Sequence, residues 1–140
     1  MDVTGGCFCG HVTYQATVDP AQVYICHCTD CQRHSGAAYG VVVGVEAGKF
    51  RLSSGTLKTF DKTADSGTVR VLTFCPECGT RIHATSAGDP DGFMGLRLGT
   101  VDQCDQLTPV AQAFCRSAQG WVTDLAPIPR FEGGPQSDES

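Results

Sequence analysis

The sequence lacks any apolar stretch long enough to cross a bilayer, and its first residues, MDVTGGCFCG, have no apolar run of the kind that makes a secretory leader. These two absences lead us to expect a cytoplasmic protein with no membrane partner. Positive charge is also scarce: ten Lys and Arg stand against fifteen Asp and Glu, a formal net charge of −5. Arg33, Lys49, Arg51, Lys58, Lys62 and Arg70 are scattered along the chain. A sequence-independent nucleic-acid binder needs a positive stripe to displace counterions from phosphates, so no nucleic-acid partner is expected. No internal repeat is visible, and 140 residues suit one domain with a single modest core.

Cysteine, by contrast, is abundant, with nine residues in the chain. In a reducing compartment thiols favour metal or redox chemistry over a disulfide framework, and an odd count leaves at least one unpaired. Seven fall into three groups: Cys7-Phe-Cys9, Cys26-His-Cys28-Thr-Asp-Cys31 and Cys75-Pro-Glu-Cys78-Gly. In CPECG the first cysteine ends an apolar strand, and a tight turn through Gly79 lets both sulfurs face one cation, as in a zinc knuckle. A closed structural zinc takes four ligands, so a second pair must come from elsewhere. Cys28 and Cys31 would give a simple zinc ribbon. Cys7 and Cys9 would instead leave Cys26, Cys28 and Cys31 as a set of three with an open fourth position, unless His27 or His34 closed it. Spacing alone leaves both partitions standing.

Glycine, 17 residues, punctuates short runs rich in β-branched and aromatic residues: 11–18, 23–26, 39–46, 49–53, 56–60, 68–75, 80–86, 93–98 and 109–115. An all-β, single-domain fold of short strands follows, with one helical turn over 29–38, capped by Thr29 or Asp30, lying on the cysteine cluster. The polar, Gly/Pro/Ser-rich end reads as a flexible tail over 133–140, leaving 1–132 as the domain.

GGCFCGHVTY, ICHCTDCQRHSGAAYG, LTFCPECGTRI, LGTVD and WVTDLAPIPRFEGGP resemble, in order and spacing, the glutathione-dependent formaldehyde-activating (GFA) family from about Gly5 to Pro135. The resemblance implies an all-β fold of coiled antiparallel sheets, a β-tent, stapled by zinc. It implies one structural zinc on Cys7, Cys9, Cys75 and Cys78 and a second, labile, catalytic zinc on Cys26, Cys28 and Cys31. The implied activity is that of a carbon–sulfur lyase of the S-(hydroxymethyl)glutathione synthase kind, joining or releasing glutathione, or a similar small thiol, and a small aldehyde such as formaldehyde.

A thiol is a weak nucleophile until ionised, and a cation with an open position stabilises the thiolate. Three cysteine thiolates weaken the Lewis acidity of zinc, which favours thiolate exchange over water activation. His27, Asp30 and His34 are the nearest candidates for a general acid. The carboxylates of glutathione need local cations; Arg33 is nearest to the cluster, and Arg81 follows the knuckle. Cys104 and Cys115 match no ligand motif, and Cys115 is expected to pack as a small strand residue. His11 and His83 read as polar-face strand residues, and Trp121 and Phe131 as core or lid packing. Two alternatives remain at this level. One is a non-catalytic zinc scaffold with only the structural site filled. The other is a methionine sulfoxide reductase using Cys115, whose flanking AFCRS does not carry that pattern.

Overall fold

A computed structural model of the chain describes residues 1–135. The tail expected over 133–140 lies outside the described residues from position 136 onward. The chain folds as one continuous sheet of eight strands: β1 (Asp2–Gly6), β2 (Thr13–Cys26), β3 (Gly40–Ser54), β4 (Lys58–Thr63), β5 (Val69–Phe74), β6 (Arg81–Ser86), β7 (Met94–Arg97) and β8 (Ala111–Ala113). Its order is β1-β2-β3-β7-β6-β5-β4, with β8 added against β2. Every ladder is antiparallel except the last: β8 runs parallel to the end of β2, with Cys26 opposite Ala113.

Alternation explains which face is buried. In β2 the side chains of Tyr14, Ala16 and Val18 point inward while Thr13 and Gln15 face solvent. With Val3, Val12, Val23, Val43, Ile82 and Leu96 they form the core. Fully burying a valine, isoleucine or leucine of this set contributes roughly 1.5–3 kcal/mol. Tyr14 stacks on Phe50 at 5.2 Å, and Phe50 meets His83 edge-on at 4.8 Å, so one aromatic from β3 bridges β2 and β6.

Two of the expected strand pairs are fused. Residues 11–18 and 23–26 belong to one strand because Asp19-Pro20 forms an irregularity in the ladder: Asp19 faces Gly44 and pairing resumes only at Val23 and Val43. A bulge on a long strand tolerates proline, which has no N–H to give. Residues 39–46 and 49–53 are joined similarly across Gly48. The only α-helix among the described residues, α1 (Thr29–Ser35), falls on the cysteine cluster. Its cap is neither Thr29 nor Asp30 but Cys28, whose Sγ accepts from the Cys31 N–H at 3.2 Å. A sulfur acceptor suits that position, since the first-turn N–H groups have no carbonyl partner.

The end of the chain corrects three expectations. Trp121 and Phe131 are exposed, 56% and 59%, in a segment of turns after the last regular element at Ser117, so neither is core. Cys115 is exposed in a 3-10 turn behind Phe114, whose φ of 56° takes the chain out of the strand. Cys104, in contrast, packs half-buried against the core.

Candidate metal centres and the adjoining cleft

The four sulfurs of Cys7, Cys9, Cys75 and Cys78 lie within 4.8 Å of one another. Two hairpin turns deliver them. The β1–β2 turn is closed by Cys7 N–H to Val12 O (3.0 Å), with Val12 N–H donating to Cys7 Sγ at 3.2 Å. The β5–β6 turn is closed by Cys75 N–H to Thr80 O and Gly79 N–H to Cys75 O, both 2.9 Å, with Gly79 at a φ of 78° that favours glycine. The turns lie on strands far apart in sheet order, so the sheet must curl to bring them together.

Sulfur separations of 3.6 Å (Cys7–Cys9) and 3.9 Å (Cys9–Cys75) are too long for a disulfide. They bracket about 3.8 Å, the edge of a tetrahedron whose centre is about 2.3 Å from each sulfur, the zinc–thiolate length. All four are free thiols, and the donor set is that of a closed structural site. Hydrogen bonds from the Thr80 side chain and then its backbone lower the Cys78 thiol to about 5.

The second group is Cys26, Cys28 and Cys31, again within 4.8 Å of one another, at the end of β2 and the start of α1. No fourth His, Cys, Asp or Glu joins it among the described residues. Hydrogen bonding with Cys31 is the main influence lowering the Cys26 thiol to about 5, helped by the backbone of Cys28 and the charge of Arg97. Burial raises Cys28, and sharing a proton with Cys26 raises Cys31. One thiolate carrying its neighbours' hydrogen bonds is the arrangement a cation would replace.

A cleft of about 470 Å³ is lined by His34 and Ser35 of α1, by Gly79, Thr80 and Arg81 at the knuckle, and by Arg97; no cysteine lines it, but His34 follows Cys31 on α1 and Gly79 follows Cys78. Antiparallel pairing explains this meeting. β6 begins with Arg81 and its neighbour β7 ends with Arg97, while β3, paired with both β2 and β7, begins at Gly40 opposite Cys26. A Cβ on Gly40 would stand 2.5 Å from Arg97 Nη1 and 3.6 Å from Cys31 Cβ, so the missing side chain makes the space in which the guanidinium lies beside the cysteines. Arg97 Nη2 also donates to the edge of the His34 ring, 3.0 Å from Nε2 and 3.2 Å from Nδ1. Burial, then the charges of Arg97 and Arg81, lower His34 to about 4, leaving it neutral at physiological pH. Arg81 lies over the Phe74 ring, with Cζ 5.1 Å from the centroid, and its Nη1 is buried without a hydrogen-bond partner among the described residues.

Of the residues suggested by sequence, His34 and Arg81 reach the cleft. His27 is 1% exposed, with Nε2 held 2.8 Å from Gln112 Oε1. Asp30 is at the surface, 3.9 Å from Lys62 Nζ. Arg33 is exposed on α1 and does not line the cleft. Sequence reasoning missed Arg97 and Gly40. A larger groove of about 540 Å³ crosses β1, β2 and β3, with Asp2, Lys49 and Arg51 on its walls and no cysteine.

The chain is similar in fold to a crystal structure of a Rhodobacter sphaeroides protein, with a TM-score of 0.60 and 19% identity over 78% of this chain and 98% of that one. No curated protein sequence matches it. A family model described as "Glutathione-dependent formaldehyde-activating enzyme" matches residues 2–117, a span that holds both cysteine groups and every residue lining the cleft, and stops short of Trp121. With that match over most of its length, the chain belongs to the glutathione-dependent formaldehyde-activating enzyme family.

Proposed function

We propose that residues 1–132 form a zinc-dependent carbon–sulfur lyase domain that joins or releases glutathione, or a similar thiol, and a small aldehyde such as formaldehyde. The observation that carries the reading is the three-cysteine group without a fourth protein ligand among the described residues, beside a cleft holding a neutral histidine and two arginines. Cys26, Cys28 and Cys31 would hold a zinc that, when bound, supplies the positive charge keeping an incoming thiol ionised near neutral pH. Cys7, Cys9, Cys75 and Cys78 would hold a second zinc with a structural role.

The remaining chemistry falls to the chain. In the joining direction the thiol sulfur bonds to the aldehyde carbon, the C=O π pair moves to oxygen, and the proton lost by the thiol ends on that oxygen. His34 is the one imidazole on the cleft, but burial and the charges of Arg97 and Arg81 make it a weak base, so it serves as a hydrogen-bonding group and the proton travels through water. Arg97, beside Cys31 and bonded to His34, holds the ring in place and contributes positive potential where negative charge develops on oxygen.

Paired substitutions test the reading. Cys28→Ser is expected to remove one zinc and abolish thiol-dependent aldehyde consumption while far-UV circular dichroism stays unchanged. Cys78→Ser is expected to unfold the domain, because metal binding at a closed site is folding free energy. Equal damage from both, or turnover that survives Cys28→Ser, contradicts the assignment. One firmly bound zinc with no thiol turnover in the native protein would instead favour a binding scaffold.

A further inference from the structure

Arg81 and Arg97 are two guanidinium groups on one cleft, and neither has a carboxylate partner among the described residues. The only ion pair among those residues, Lys62 with Asp30, is at the surface. Like charges brought together without a counter-ion repel, and Arg81 Nη1 is buried without an acceptor among the described residues, an uncompensated desolvation. An anion in the cleft would relieve the repulsion between the two cations. Both side chains are held in place: Arg81 lies over the Phe74 ring, and Arg97 occupies the gap at Gly40 and bonds to His34. Planar guanidinium forks suit a carboxylate. Formaldehyde carries no charge and needs neither arginine.

We propose that Arg81 and Arg97 together bind a carboxylate of the substrate, and so select for a carboxylate-bearing thiol or a carboxylate-bearing aldehyde over neutral ones. This rests on the lyase reading for the word substrate, but the binding step stands apart from turnover. His34, neutral between the two cations, adds no third charge to the site. Arg97, which also lies beside Cys31, fixes the distance between the anchored carboxylate and the cysteine group.

Calorimetric titration of the zinc-loaded protein tests this with two probes that lack a thiol: S-methylglutathione, for a carboxylate on the thiol partner, and glyoxylate, for one on the aldehyde. Arg81→Gln and Arg97→Gln are each expected to weaken at least one probe about tenfold, the loss of a charge-assisted hydrogen bond. The probe affected identifies the partner. Arg51→Gln, in the larger groove, is expected to leave both titrations unchanged. The two test positions lie on different strands, so a folding defect in one, seen by zinc content and melting, leaves the other informative. If neither probe binds the native protein, or both variants bind as the native protein does, the proposal fails whatever the lyase assay shows. If the variants lose affinity while the native protein turns nothing over, the carboxylate site stands and the lyase reading fails.

Discussion

His83 packs edge-on against Phe50 with Nδ1 buried and without a partner among the described residues, and burial holds its imidazole down at about 4. The folded chain therefore takes up this proton only near pH 4, whereas the unfolded chain does so near 6.5. Stability from the neutral ring is complete above about pH 6.5 and is lost as pH falls toward 4. At pH 5 the loss is of order 2 kcal/mol. Urea unfolding at pH 7 and pH 5 should show a larger drop for the native protein than for His83→Leu; equal drops would mean the ring titrates normally. At this scale the cysteines were legible because their spacing announces ligand geometry. The cations were not. Arg33 is nearest in sequence, but two residues beyond Cys31 a helix has turned its side chain away; three residues beyond, His34 returns to the same side. Nothing in GLRLGT marks Arg97, because its place depends on the registers that set it opposite Val42 and Gly40 opposite Cys26.

Among the elements, β8 is three residues long, yet it and the 3-10 turn over Cys115–Ser117 brace the cysteine-bearing segment. His27 N–H donates to Ala113 O at 3.0 Å, His27 Nε2 meets Gln112 Oε1 at 2.8 Å, and Gln32 Nε2 reaches Ser117 O at 2.9 Å. Gln112→Ala would leave the buried His27 ring without that partner, so a loss of about 1–3 kcal/mol is expected in thermal or urea unfolding. Faster zinc release from Cys26, Cys28 and Cys31, with the four-cysteine site unchanged, would accompany it; an unaltered melting curve would show that the ring finds water instead. Strand existence was legible from alternation, whereas strand length was not, since Asp19-Pro20 and Gly48 read as turns but bulge within continuous ladders. β1 escaped notice because DVTGG carries two glycines and a single large apolar side chain, Val3. β4, exposed along its whole length at the sheet edge, carries Lys58, Asp61 and Lys62, charges that discourage pairing with another chain.

For the whole molecule, the all-β class followed from composition and turn signals, but the curl that brings the β1–β2 turn to the β5–β6 turn is a property of the whole sheet that no local run encodes. One result of that curl is that a single turn serves two ligands. Cys75 and Cys78 belong to the four-cysteine group while Gly79, Thr80 and Arg81 form a wall of the cleft. Coupling between two binding sites is reciprocal: if the metal orders the wall that receives an anion, the anion must tighten the metal to the same degree. In the Cys28→Ser protein, which keeps only the four-cysteine site, S-methylglutathione is expected to raise zinc affinity about fivefold in competition with a chelator at equilibrium. An unchanged affinity would mean that the turn is rigid without help. With the coupling present, zinc depletion would strip the four-cysteine group first in molecules with nothing in the cleft, so occupancy of the cleft would decide which copies stay folded.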